Sequence, residues 1–111
     1  MHLESSTLRG REILTINGEV DLLQASAFRT ALRSCLDRKC PVLVLDLAGV
    51  DFMDSSGLSE IIAYQQTASE FLGKLMIARP SSEVRQLFAL TKLDGFLRIY
   101  GSVEDACSAP A

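Results

Sequence analysis

The sequence predicts a single α/β domain: a mixed β-sheet, largely parallel but opened by an antiparallel hairpin, packed with about four helices. Three observations predict it. Short runs of strand formers alternate with stretches whose apolar residues recur every three or four positions, and that order implies parallel strands joined by right-handed crossovers. The run Val42-Leu43-Val44-Leu45 is continuously apolar, as suits a central strand covered on both faces. The 111 residues, 48% apolar and 23% charged, have the size and composition of one domain with a real core. That domain is expected to occupy residues 1–111, with its core at about 11–107.

Each element has its own local reason. The chain opens on a loosely alternating stretch through Ser6–Leu8. Arg9-Gly10-Arg11 supplies a turn, and Glu12–Asn17 is rich in strand formers, so a hairpin is expected. Gly18-Glu19-Val20-Asp21 ends that strand. Leu22–Lys39 reads as a helix: Ala27, Ala31, Leu32, Cys35 and Leu36 recur at helical spacing, while Arg29, Arg33, Asp37 and Arg38 fall mostly elsewhere. Pro41 stops it, Val42–Asp46 forms the next strand, and Leu47–Met53 is expected as a loop.

A second long helix runs from about Ser55 to Leu72, with Leu58, Ile61, Ile62 and Ala68 inward and Glu60, Gln66 and Thr67 outward. Gly73 is its stop signal. Leu75–Ala78 is a short strand. Pro80-Ser81-Ser82-Glu83 opens a third helix whose buried stripe is Val84, Leu87, Phe88 and Leu90. Gly95 breaks that pattern, Phe96–Tyr100 is the last strand, and Ser102–Cys107 is a short helix before a frayed tail.

Composition excludes several functions. The formal net charge is −3 and no basic run occurs, which argues against a nucleic-acid partner. No apolar run is long enough to cross a bilayer, and the polar opening is no secretory signal. Cys35, Cys40 and Cys107 are odd in number and show neither C-x-x-C nor Cys/His ligand spacing. They read as reduced, buried small hydrophobes in a cytoplasm, with no metal or cofactor expected.

The stretch Asp54-Ser55-Ser56-Gly57-Leu58 places two hydroxyls at the start of the second long helix. Helix starts carry unpaired N–H groups and partial positive charge, so they attract capping oxygens and phosphate alike. A serine there is either a cap or a residue that another protein modifies. A catalytic nucleophile is not expected. The nucleophile elbow needs G-x-S-x-G, the only histidine is His2 at the terminus, and no catalytic residue is assigned.

Asp46, Asp51 and Asp54 could meet around Mg²⁺, but the simpler roles are strand end, loop and helix cap. Glycine-rich phosphate loops are absent. Asp46 after its apolar strand resembles the phospho-acceptor of a bacterial receiver domain, yet the acidic pair and the late lysine of receivers are missing.

Three segments together resemble one family. Gly18-Glu19-Val20-Asp21 fits a G-E-[LV]-D signature after the second strand, and Val44–Leu47 with Val50–Leu58 fits a strand, loop and D-S-S-G-L motif. Ser82–Leu93 is similar to that family's third helix. The chain resembles a STAS domain, the module of bacterial anti-sigma factor antagonists.

The resemblance implies a transcription-regulating partner switch that catalyses nothing itself. Its expected partner is an anti-sigma factor that is also a serine kinase; binding releases the sigma factor. Ser55 is the implied phosphorylation site and Ser56 its neighbour, with a PP2C-type phosphatase restoring the hydroxyl. The expected partner-binding residues are Glu19, Asp21, Asp51, Asp54, Ser56, Gly57, Ser59 and Glu60. Gly57 would allow a partner's close approach, or else tight packing against the preceding loop. Ser59-Glu60 stands where the family commonly has a small residue, which would reshape partner choice. The alternative is a STAS scaffold subunit of a stress-sensing or lipid-transport complex, never phosphorylated. The residues select no oligomeric state.

Overall fold

Nine regular elements follow one another in the predicted order, and a computed structural model describes all 111 residues. They are β1 (His2–Leu8), β2 (Arg11–Val20), α1 (Ala25–Asp37), β3 (Val42–Met53), α2 (Ser55–Ala68), β4 (Lys74–Ala78), α3 (Ser82–Leu90), β5 (Arg98–Tyr100) and α4 (Val103–Ser108). The sheet order is β1-β2-β3-β4-β5. β1 pairs antiparallel with β2, and every other pair is parallel.

Strand alternation builds two unequal layers. Leu43 and Leu45 of β3, with Leu75 and Ile77 of β4, point into the main core beneath α1, α2 and α3. There they meet Phe28 and Leu32, Ile61 and Tyr64, and Val84 and Phe88. Val42, Val44, Met76 and Ala78 point to the other face, where Ala106 and Cys107 of α4 cover them. Arg11 helps to hold α4 in place, its Nη1 donating to the Ala106 carbonyl at 2.6 Å.

The expected loop Leu47–Met53 is strand instead, because β3 continues to Met53 with Leu47 and Val50 fully buried. The strand can run through Asp46 because that carboxylate is matched. Arg79 donates from Nε and Nη2 to its two oxygens, each at 2.9 Å, and the Ala48 N–H adds a third bond at 3.3 Å. Register shifts between Thr15 and Asn17, and again between Gly18 and Glu19, let β2 follow the longer strand.

Helix boundaries and stripes also move. α1 begins at Ala25 rather than Leu22, and its buried stripe is Ala25, Phe28, Leu32 and Cys35, leaving Ala27 exposed. α2 ends at Ala68, a single 3₁₀ turn covers Ser69–Phe71, and Leu72 takes the left-handed conformation at φ 63°. Gly73 then donates its N–H to the Ala68 carbonyl at 2.8 Å. Its role is close approach: a Cβ there would lie 2.6 Å from Phe71 Cε2. Leu90 and Phe96, expected in a helix stripe and in the last strand, are both exposed outside the core.

Candidate functional site

Parallel pairing of β2 and β3 brings their C-terminal ends out side by side, with Glu19 opposite Phe52 and Val20 opposite Met53. The chain turns into α2 at Asp54, whose N–H donates to the Val20 carbonyl at 3.3 Å. Asp54 is extended and is the N-cap. Its Oδ1 accepts from the Ser56 and Gly57 N–H groups at 2.9 and 3.3 Å, and its Oδ2 accepts from the Leu22 N–H at 3.2 Å. One carboxylate therefore satisfies two orphan donors of α2 and ties down the segment after β2.

This settles which residue is the cap. Asp54 does the capping, and Ser55 occupies the first helical position with its side chain exposed. Ser56 is half-buried. Ser59 is exposed one turn later, its Oγ donating to the Ser55 carbonyl at 2.7 Å. Glu19 and Asp51 are exposed at the same sheet end, and Asp21 accepts the Gln24 N–H through Oδ1 at 3.1 Å. Glu19, Asp21, Asp51 and Asp54 are thus brought to one sheet end as an acidic rim.

Two expected contact residues also have roles inside the molecule. Glu60 is only 11% exposed and accepts from Arg29 Nε at 2.9 and 3.0 Å, joining α2 to α1. Gly57 is buried, and a Cβ there would meet Val20 Cγ1 at 2.7 Å and the Val20 carbonyl at 2.9 Å. Its missing side chain lets α2 pack onto β2. Gly57→Ala gains helix propensity of about 1 kcal/mol but drives the new Cβ into the Val20 side chain and carbonyl, for a net loss of roughly 1–2 kcal/mol. Urea unfolding checks this; a variant as stable as the parent would count against that packing role.

Sequence reading missed three surface residues. Leu22 and Leu23, expected in a helix, are 73% and 85% exposed before α1 begins, and Phe52 is half-exposed opposite Glu19. Their signal was available: three large apolar residues flank the acidic motifs without fitting any helical stripe. Of the three aspartates considered for a cation, two have other duties: Arg79 engages both oxygens of Asp46 and backbone N–H groups engage both of Asp54, while Asp51 is exposed. His2 is the first residue of β1, opposite Asn17.

The STAS domain family model matches residues 4–106 of this chain. The anti-sigma-F factor antagonist RsfB of Mycobacterium tuberculosis is 31% identical over 97 residues, covering 87% of this chain and 79% of its own length. An anti-sigma factor antagonist from Mycobacterium paratuberculosis superposes with a TM-score of 0.82 at 28% identity, over 95% of this chain and 89% of that one. Bacillus SpoIIAA, solved in its phosphorylated form, shares the fold at 19% identity with a TM-score of 0.74, over 95% of this chain and 96% of its own.

Proposed function

Because this chain belongs to the STAS domain family, we propose that it is an anti-sigma factor antagonist switched by phosphorylation of Ser55. In this reading it binds a serine-kinase anti-sigma factor and frees the sigma factor. The kinase then phosphorylates Ser55 and the complex separates, until a PP2C-type phosphatase removes the phosphate. The antagonist names of RsfB and of the M. paratuberculosis protein support the role, and a phosphorylated SpoIIAA supports the switch.

The observation that carries the proposal is the division of labour between Asp54 and Ser55. With the cap supplied by Asp54, the Ser55 side chain stands exposed where α2 begins. The docking face comprises Glu19, Asp21, Asp51, Ser56 and Ser59, with Leu22, Leu23 and Phe52 as its apolar part. A phosphate adds about −1.5 to −2 charges at neutral pH. At a helix start this is tolerated, by roughly 0.3–1 kcal/mol in favour, so the domain stays folded. Against a fitted partner the same dianion joins an acidic rim. A desolvated, unpaired charge in an interface costs several kcal/mol, enough to separate a tight complex.

The test is incubation with ATP and a candidate serine-kinase anti-sigma factor, followed by intact mass. A phosphate-sized gain is expected, lost in Ser55→Ala and retained in Ser56→Ala. Stable binding without any gain in mass would overturn the switch and leave a constitutive scaffold.

A further inference from the structure

We propose that Cys35, Cys40 and Glu12 form a binding site for a thiophilic divalent cation of the Zn²⁺ type at the C-terminal end of α1. The donor atoms of these three residues lie within 4.8 Å of one another. Tetrahedral Zn²⁺ with Zn–S bonds of about 2.3 Å needs sulfurs roughly 3.8 Å apart, so a small closure of side chains suffices.

The sequence spacing hides this site, and helix termination creates it. Lys39 takes the left-handed conformation at φ 51°. Its N–H donates to the Leu36 carbonyl at 2.9 Å, and the Cys40 N–H donates to the Cys35 carbonyl at 3.1 Å. That bond pair is a Schellman closure, which folds the residue after the turn back onto the helix position five before it. Both thiols are therefore held together by backbone geometry. Glu12 reaches them from β2: the Cys35 thiol donates to Glu12 Oε2 at 2.7 Å, and Arg38 donates to both carboxylate oxygens.

A buried tyrosine shares the core with both thiols. The Tyr64 hydroxyl, on a side chain only 2% exposed, is buried with no hydrogen-bond partner. Burial pushes that hydroxyl up.

The charges also balance. Binding of M²⁺ expels the two thiol protons, giving two thiolates and a carboxylate around a dication. The remaining single negative charge faces the Arg38 guanidinium, which stays on Glu12 as an outer hydrogen-bond partner. Entry is from the Glu12 side, where the side chain is 17% exposed. A simple disulfide is the competing fate of the pair.

The test uses the full, reduced chain titrated with Co²⁺ alone and then with Zn²⁺. One ion per chain is expected, with a thiolate-to-cobalt charge-transfer band that Zn²⁺ abolishes. The band disappears in Cys35→Ser and in Cys40→Ser and persists in Cys107→Ser, whose thiol lies in the other core cluster. X-ray absorption on the zinc-loaded parent should show two sulfur neighbours, a readout independent of whether the serine variants fold. Absence of the band in the parent, its survival without Cys35 or Cys40, fewer than two sulfurs, or oxidation to a disulfide with no ion taken up would each overturn the site.

Discussion

Replacing Arg79 with leucine will destabilise the fold by about 2 kcal/mol, within the range for leaving a buried acceptor unsatisfied. Asp46 is buried in mid-strand between Leu45 and Leu47, and the two Arg79 bonds at 2.9 Å hold both its oxygens. Arg79 itself is 54% exposed on its side chain, so its guanidinium is already partly hydrated, whereas Asp46 is not. The loss therefore falls on the stranded carboxylate, which keeps only the 3.3 Å bond from Ala48. Replacing both residues, Asp46→Val with Arg79→Leu, leaves no unpaired charge and should recover most of the loss. Guanidinium unfolding midpoints of the parent, the single and the double variant make the comparison. A single variant within about 0.5 kcal/mol of the parent, the usual range for a surface substitution, would show that Asp46 is satisfied by other means.

Ser55→Asp is expected to weaken binding to the kinase partner by about a hundredfold, equivalent to roughly 2.7 kcal/mol. Ser55→Ala should bind as the parent does. The contrast matters because both changes should leave the fold nearly untouched: position 55 is exposed, and a carboxylate in the first turn suits the helix dipole. Titration calorimetry gives the affinities, and thermal unfolding of the free variants shows whether the domain is intact. Equal affinities for the aspartate and alanine variants would remove charge as the reason the complex separates.

The order of all nine elements was legible because each had a local cause: a strand run, a helical stripe, or a proline or glycine at a boundary. The D-S-S-G-L stretch was legible for the same reason, since cap and serines are neighbours in sequence. What local pattern could not show is long-range compensation. A strand broken at Asp46 was the natural reading until Arg79, 33 positions away, proved to neutralise it. Glu60 looked solvent-facing because its partner Arg29 sits on another helix. Gly57 offered two readings that only Val20, at the end of the neighbouring strand β2, could separate. Cys35 and Cys40 looked unrelated because a helix-ending turn, not a ligand motif, brings them together.

The double duty of Asp54 has a kinetic meaning. Both of its oxygens are committed, one to the start of α2 and one to the strand exit near Leu22. In the proposed switch, the stretch that a modifying enzyme would grip is consequently already tied down by these bonds, which leaves less chain freedom to lose on encounter. Asp54→Ala should loosen that stretch in the free protein, so its signature is slower capture by the partner rather than a damaged contact within the complex.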